Sequence, residues 1–512
     1  MRIYREEQPA ASREVPQVSI VADQFATRRQ RALSSGRAGA PSRTGKGRYA
    51  AVCSLLIACA GCVAYQAAPL DPQRSAERFA VRGLDEPQLR EAVIRMLPRA
   101  ADAWPPHTMD RAELLAVALV RNPQLAVAHA QVQAALAQEV SVAQSPNPDL
   151  TLQSEYGAHG DPHPWLYGLG LNWLLRSPER RRLEMQIARL ETSGARLQLM
   201  DQAWAVRRTL AAALSDSQAA QRRLGLLDRL AQAQDRLLAV EQQRVKAGED
   251  PPGALITAQQ ARLEIEQQRS ELHALADAAQ IAVAKALGLS PQALDAVTFA
   301  WPEWGEPPTL EESQRRAARE QALLSRAALG IAIQEYSSAE AKLQLAIARQ
   351  YPQFELEPGY YWDHGIAKFP FDVTFTLPFN GNRGEIAEAR AGRELAGQRM
   401  LAVQADIFGE IAAAERAEGI ARASTQAAER QLQIARQLQQ QADLSLRLGA
   451  SSLEEQVGAD IIAMRAELDV VQMRAQLQAA RNRLEDALRA PLSGPELALA
   501  KSSAVAAPGT GS

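Results

Sequence analysis

Cysteine, histidine and aromatic residues are all scarce in this chain of 512 residues. Its three cysteines, Cys53, Cys59 and Cys62, lie together near the N-terminus, so the rest of the sequence has no thiol for a disulfide or a thiolate metal site. The six histidines form no nucleophile–base pattern, and no glycine-rich phosphate loop joins a strand to a helix. We therefore predict that the chain is not an enzyme, needs no cofactor and holds no catalytic metal.

The chain also lacks an excess of charge of either sign: it has 57 basic and 59 acidic residues, and its formal net charge is −2. The chain therefore has no overall basic field of the kind that attracts nucleic acid. Aromatic residues make up only 5% of the composition, while Ala, Leu, Gln, Arg and Glu are abundant. This composition favours long helices that pack closely through small side chains.

The aromatic residues that are present concentrate in two predicted β-hairpins. Their strands cover about 150–157 and 166–175 in the first hairpin, and about 354–362 and 368–379 in the second. Apolar and polar side chains alternate, and a run of about nine such residues can cross the hydrocarbon layer of a bilayer as a tilted strand. The predicted lipid-facing residues are Tyr167, Leu169, Leu171, Trp173, Phe369, Phe371, Val373 and Phe375.

The two hairpins belong to two similar halves of the sequence. Asn122–Leu125 matches Arg326–Leu329 at a shift of roughly 204 residues, and the shift holds through the hairpins. We predict a tandem duplication with repeats at 110–300 and 301–492, each containing a helix, a hairpin, a long helix, a turn and a second helix.

Helix start and stop signals set the expected bounds of the helices. Ser177-Pro178 begins one long helix and Gly248 ends it, a span of about 100 Å at 1.5 Å per residue. Asn382 and Gly449 bound the second in the same way. The shorter partner helices are predicted at 110–144, 254–287, 310–351 and 452–488, the third opening with a Thr309–Glu312 capping box.

The two ends of the chain carry segments outside the repeats. Residues 1–48 are expected to be a disordered basic extension, with a binding arm as the alternative, and 493–512 a disordered tail. Residues 49–62 have the form of a lipoprotein-type signal segment, in which Cys59 or Cys62 is the candidate lipidation site. A proline-rich leader with one short helix near 86–96 fills 63–109.

Four strands cannot close a barrel, and open strand edges do not survive in lipid. Closure therefore requires several copies, and a trimer supplies about twelve strands around a lumen. The predicted fold class is mainly α with a small membrane β part, a homotrimer whose 12-stranded barrel continues into an α-helical tunnel. Polar strand faces would then line water, and the apolar faces would contact outer-membrane lipid.

Several short motifs follow one another in a fixed order along the chain: Cys62–Tyr65, Pro69–Pro72, Asn122-Pro123, Lys246-Ala247-Gly248, Phe379–Gly384 and Ile386–Ala389. This ordered set resembles the TolC-type outer-membrane efflux factors, over roughly residues 60–495. The leader is similar to the lipoprotein branch of that family. Within the family, the chain most resembles the cobalt–zinc–cadmium efflux group. The resemblance implies a homotrimeric exit duct in the bacterial outer membrane with a long periplasmic extension, docked onto a periplasmic adaptor and an inner-membrane pump of the RND type.

The same resemblance implies that the two helix turns form the periplasmic mouth of the duct. Their candidate adaptor contacts are Arg244, Lys246, Gly248, Arg447 and Gly449, and their gate candidates are Asp250, Glu454 and Glu455. Counted from the turn, the positions that carry constricting acids in the family correspond to Glu455 and Gly458 in this chain. Gly458 is not an acid, so this chain departs from the family pattern there. Charges of both signs could hold the mouth shut, so Glu455→Ala is predicted to raise the conductance of the closed pore; ordinary solvated turn charges are the alternative.

Two alternatives stay open at this point. A periplasmic adaptor of the same pump class would need compact β-domains around one helical hairpin, and a soluble coiled-coil scaffold would come out of cells in salt without detergent. The loop residues His159, Asp161 and His163 could bind a divalent ion, although Gly160 and Pro162 explain the loop equally well as a turn. The sequence does not decide whether the cargo is a metal cation or a small toxic compound.

Overall fold

A computed structural model describes residues 65–97, 104–158, 160 and 162–499 of the chain. The predicted extension, the signal segment and the candidate lipidation sites Cys59 and Cys62 lie outside these residues. The chain divides into two units, of which the first includes residues 65–82 and the second spans 83–498. In the first unit, Asp71 caps a short exposed helix, α1 (Pro72–Ala80), by accepting the N–H groups of Gln73 and Arg74.

The second unit is mainly helical, with seven short or medium strands in the described residues. Among the described residues, no helix is both long enough and apolar enough to span a membrane. The α-helices of the second unit are α2 (Pro87–Met96), α3 (Arg111–Arg121), α4 (Pro123–Ala143), α5 (Pro178–Ala247), α6 (Pro252–Leu287), α7 (Glu312–Ser325), α8 (Ala327–Ala348), α9 (Arg383–Arg447) and α10 (Leu453–Leu488). Its strands are β1 (Thr108–Asp110), β2 (Asp149–Tyr156), β3 (Trp165–Leu175), β4 (Thr298–Ala300), β5 (Phe354–Asp363), β6 (Ile366–Lys368) and β7 (Phe371–Phe375).

The two long helices have the bounds that their start and stop signals indicate. Helix α5 has 70 residues, begins with Pro178 and ends at Gly248, which adopts a left-handed conformation with φ 78°. At about 1.5 Å per residue it is roughly 105 Å long. Helix α9 has 65 residues, and Gly449 (φ 70°) follows its end. At its start the amide of Asn382 does not cap the helix but donates to the carbonyl of Ala346 at 2.9 Å.

The helices that precede the hairpins are each broken once, so the prediction of continuous helices over 110–144 and 310–351 is wrong. Asn122 is extended because it precedes Pro123, and its Oδ1 then caps α4 at the N–H of Gln124. Arg326 is extended at the matching position between α7 and α8. The capping box of α7 is formed by Glu311 and Gln314, not by Thr309 and Glu312 as expected.

The strands form two sheets. Strands β2, β3 and β5 are antiparallel neighbours in that order, and β6 and β7 both pair with the far edge of β5. The prediction of one unbroken strand over 368–379 is wrong, because Pro370 has no N–H to donate and separates β6 from β7. The parallel pair of β1 and β4 was not predicted, since three residues are too few to show a pattern.

The helices follow the same lateral order as the strands to which they connect. Beside the sheet the order is α4, α5, α8 and α9, and towards the turns it is α6, α5, α10 and α9. Helix α5 thus lies inside the layer over its whole length, and α9 forms one edge of it. A cluster made by Leu227, Leu230, Ile265, Val457 and Ile461 joins α5, α6 and α10.

A buried ionic network fastens the end of the described chain to the helices. The Glu496 carboxylate, 4% exposed, accepts hydrogen bonds from Arg207 Nε at 2.8 Å and Arg111 Nε at 3.2 Å. Arg207 also pairs with the buried Glu485 at 2.5 Å. The expectation of a disordered tail from residue 493 therefore does not hold for 493–499, because Arg111 of α3 and Arg207 of α5 pair with Glu496 in this segment.

Candidate functional site

One face of the sheet formed by β2, β3, β5, β6 and β7 is apolar. The register places Leu152 opposite Leu169, Leu169 opposite Tyr360, and Leu356 opposite Val373. Directly opposed residues share a face, so the predicted lipid-facing residues of the two hairpins form one surface. Seven of them are exposed and Leu171 is half-buried: Tyr167, Leu169, Trp173, Phe369, Phe371, Val373 and Phe375 are the exposed set.

The other face of the sheet is polar. Glu357 opposes Asp372 and accepts a hydrogen bond from Asn172 Nδ2 at 3.1 Å, while Glu355 opposes Thr374. The ring of Tyr361 lies on this face against Gly168, where a Cβ would approach Cδ1 of the ring to 2.2 Å. Glycine is therefore required at 168 for the tyrosine to pack across the strands. Among the described residues of a single chain, no hydrophobic core covers either face of the sheet.

At the opposite end of α5, Arg244 joins the two helix turns. Its guanidinium donates through Nε and Nη2 to Asp250, with 3.2 Å between Nη2 and Oδ1, and lies 3.6 Å from Glu249. The second turn contributes Glu454, whose carboxylate is 3.4 Å from Arg244 Nε. The hydrogen bond from Arg244 is the main reason why the pKa of Asp250 lies below its ordinary value.

Glu241 completes this cluster and was missed by the sequence analysis. Carboxylate oxygens of Glu241, Asp250 and Glu454 all lie within 4.8 Å of one another. Burial raises the pKa of Glu241, as do the negative charges of Glu454 and Asp250, against the opposite effect of Arg244. The available signal was its position three residues before Arg244, which places the two side chains on one helix face.

The other predicted turn residues lie outside the cluster. Lys246, Gly248, Arg447 and Gly449 are all exposed. Glu455 is exposed too, and its backbone N–H donates to Ser452 Oγ at 3.1 Å as the cap of α10. Of the three gate candidates, the structure thus brings together Asp250 and Glu454 with Arg244, and does not include Glu455.

The histidine loop can be described only in part, because His159 and Asp161 lie outside the described residues. The His163 ring packs on Gly365, where a Cβ would come within 2.8 Å of it. His364, with φ 49°, has its Nδ1 at 2.5 Å from Asp363 Oδ1, and Lys368 pairs with the same carboxylate. These contacts close the turn of the second hairpin.

The comparisons with known proteins agree with this arrangement. A family model described as outer membrane efflux protein matches residues 114–289. The outer-membrane channel OprN is 18% identical, with a TM-score of 0.64, over 85% of this chain and 99% of its own. CusC is 16% identical, with a TM-score of 0.61, over 77% of this chain and 96% of its own.

The outer membrane protein VceC from Vibrio cholerae is also 16% identical, with a TM-score of 0.61, over 75% of this chain and 97% of its own. No curated protein sequence matches the chain. At these identities the solved structures show the fold, and the family model adds a sequence match over most of the first half. The chain therefore has the fold of the solved outer-membrane channels, and its residues 114–289 match the outer membrane efflux protein family.

Proposed function

We propose that three copies of this chain assemble into the outer-membrane exit duct of a tripartite efflux system. The observation that carries the proposal is the shared order of strands and helices in the layer. Strand β2 and helices α4 and α6 form one edge, and β7 and α9 form the other. Two different open edges on one chain fit a head-to-tail interface, which closes into a ring when the rotation permits.

The sheet edges give a specific reason for closure. Unpaired N–H and C=O groups on β2 and β7 would be very costly in hydrocarbon, so these edges must pair with neighbouring copies. Strands β6 and β7 both pair with the same edge of β5 and count as one barrel strand, so each copy supplies four. Three copies then give about twelve strands. The apolar face then meets lipid and the polar face, with Glu357 and Asp372, lines the lumen.

The helical edges carry matching apolar surface. Ile256, Leu263 and Leu275 of α6 are more than half exposed, and so are Phe408 and Ile434 of α9. Apolar side chains repeated along two edge helices are typical of surfaces that are covered on assembly. Together with the sheet, these edges support a barrel continuous with a helical tunnel.

The turns are the part of the duct that we assign to its periplasmic partners. Lys246, Gly248, Arg447 and Gly449 are exposed at the tips, and the neighbouring Leu448 is 73% exposed. An exposed apolar residue next to the basic Arg447 suits contact with an adaptor protein. Through this adaptor an inner-membrane pump of the RND type delivers the cargo, either metal cations or small toxic compounds, and the duct passes it without a chemical step.

An acyl chain on Cys59 or Cys62 would add a lipid anchor to this assembly. One acyl chain alone binds membranes only weakly, so the anchor supplements the barrel and does not replace it. The same proposal includes a basic extension that ends at residue 48 and a signal segment that ends at residue 62.

The test is a disulfide between the two helical edges. Leu263 lies 11 residues after the start of α6 and Ile434 lies 13 residues before the end of α9, so they are about 17 and about 20 Å from the turns along their helices. They are 64% and 67% exposed. In a background with Cys53, Cys59 and Cys62 replaced by serine, the Leu263→Cys/Ile434→Cys double variant should form covalent dimers and trimers in outer membranes upon oxidation.

Each single-cysteine variant is the matched control and should give no covalent trimer, because a trimer requires both edges. Equal behaviour of double and single variants, or a water-soluble monomer obtained without detergent, would contradict the proposed duct.

A further inference from the structure

We propose that Glu241, Asp250 and Glu454 bind one divalent cation of the calcium class in each chain, where the two helix turns meet. The three ligands come from three segments, since Glu241 lies near the end of α5, Asp250 in the first turn and Glu454 at the start of α10. All of them belong to one chain, so the site is present in every copy.

The spacing of the carboxylates fits such an ion. Their oxygens lie within 4.8 Å of one another. Two oxygens bound to the same Ca²⁺ at about 2.3–2.6 Å can be separated by up to about 5 Å. Mg²⁺ usually keeps several waters and is bound by only one or two carboxylates, so a set of three protein carboxylates favours Ca²⁺. An all-oxygen ligand set also favours a hard cation over softer transition metals.

The burial of Glu241 gives an independent reason for a ligand. Its side chain is 6% exposed, and its Oε2 has no hydrogen-bond partner among the described residues. A buried carboxylate oxygen without a partner is destabilising, because water is lost and nothing replaces it. A cation among the three carboxylates would satisfy this oxygen.

The charge balance points the same way. The single guanidinium of Arg244 faces four carboxylates, Glu241, Glu249, Asp250 and Glu454. Arg244 donates hydrogen bonds to both carboxylate oxygens of Asp250, from Nε to Oδ2 and from Nη2 to Oδ1. Carboxylates can bridge two cations through their remaining lone pairs, so Arg244 and a divalent ion can share Asp250. The ion would link the first turn to the second.

Equilibrium dialysis with radioactive Ca²⁺ on the full chain in detergent tests the proposal. We expect one Ca²⁺ per chain in the native protein. Glu241→Gln removes a ligand and a charge while preserving shape, and should weaken Ca²⁺ binding by about tenfold or more. Glu454→Gln, at a residue 40% exposed, should do the same without altering a buried position.

Glu455→Gln is the matched control, because it removes a carboxylate adjacent to Glu454 and leaves the three ligands in place. Ca²⁺ binding by this variant should equal that of the native chain. The proposal is overturned if Ca²⁺ does not bind, if Mg²⁺ binds in preference to Ca²⁺, if one ion binds per three chains, or if Glu455→Gln abolishes binding while Glu241→Gln retains it. None of these readouts depends on whether the duct conducts.

Discussion

At the scale of single residues, the ionic groups inside the helical layer form a network in which each charge has a partner of opposite sign. Glu485 is 1% exposed, pairs with Arg207 at 2.5 Å and accepts the N–H of Leu492 at 3.1 Å. Arg111 and Arg481 lie 3.9 and 3.8 Å from its oxygens. Such a network contributes little net energy when complete, but removal of one member leaves buried charge uncompensated.

Glu485→Gln should therefore destabilise the protein by about 3–5 kcal/mol, because three buried guanidinium groups lose their shared counter-charge. Chemical denaturation in detergent, followed by helical circular dichroism, measures the change in free energy of unfolding. Glu467→Gln is the control, since Glu467 lies on the same helix but pairs with two exposed arginines, Arg229 and Arg436. A loss of only about 0–1 kcal/mol is expected there; equal effects would contradict the network.

The pH dependence of stability follows from Glu496. Burial would raise the pKa of its carboxyl, but the nearby Arg207 and Arg111 outweigh burial and hold the pKa below the ordinary value of 4.5. A depressed folded-state pKa means that the contribution to stability is complete above pH 4.5 and is lost as the pH falls through the folded-state pKa.

The measurement is the difference in Tm between the native chain and Glu496→Gln across a pH series. This difference should be constant near neutral pH and should shrink below about pH 4.5 as the native carboxylate takes up a proton. A difference that stays constant down to pH 2 would show that the charge of Glu496 makes no contribution.

At the scale of elements, the sequence predicts what depends on local periodicity and misses what depends on distant contacts. Ser177-Pro178 and Gly248 bound α5 because proline and glycine act on the backbone directly. The break at Asn122 could have been inferred from Pro123, whereas the break at Arg326 has only the repeat alignment as its signal. Nothing local to Glu241 or Glu496 reveals partners from another helix.

The alternating strand faces allow a test with adjacent residues. Val373 lies on the apolar face opposite Leu356, and Thr374 lies on the polar face opposite Glu355. Val373→Lys should reduce the amount of trimer inserted in the outer membrane, because a lysine facing lipid costs about 2–4 kcal/mol near the bilayer midplane. Thr374→Lys should insert normally, since its charge faces water and Glu355. Equal insertion of both variants would mean that Val373 does not face lipid.

At the scale of the whole molecule, the strand face and the turn cluster lie at opposite ends of α5, roughly 105 Å apart at about 1.5 Å per residue. The membrane end depends on edges that a single chain leaves open. The turn end already has contacts within one chain, because Arg244 links Asp250 of the first turn to Glu454 of the second. For the proposed duct, we therefore expect assembly and opening to depend on different residues that can be perturbed separately.

Arg244→Gln should raise the conductance of the closed pore in planar bilayers. In buffer free of divalent cations, loss of the guanidinium leaves Asp250 and Glu454 with no cation between them, so they repel each other, the two turns separate and the mouth widens. Lys246→Gln is the control, because Lys246 is an exposed cation two residues away and outside the cluster. Its conductance should remain that of the native chain. If Arg244→Gln conducts like the native chain while Glu455→Ala conducts more, the mouth is closed by the exposed Glu455 rather than by the arginine link, and the gate assigned to Asp250 and Glu454 would have to be abandoned.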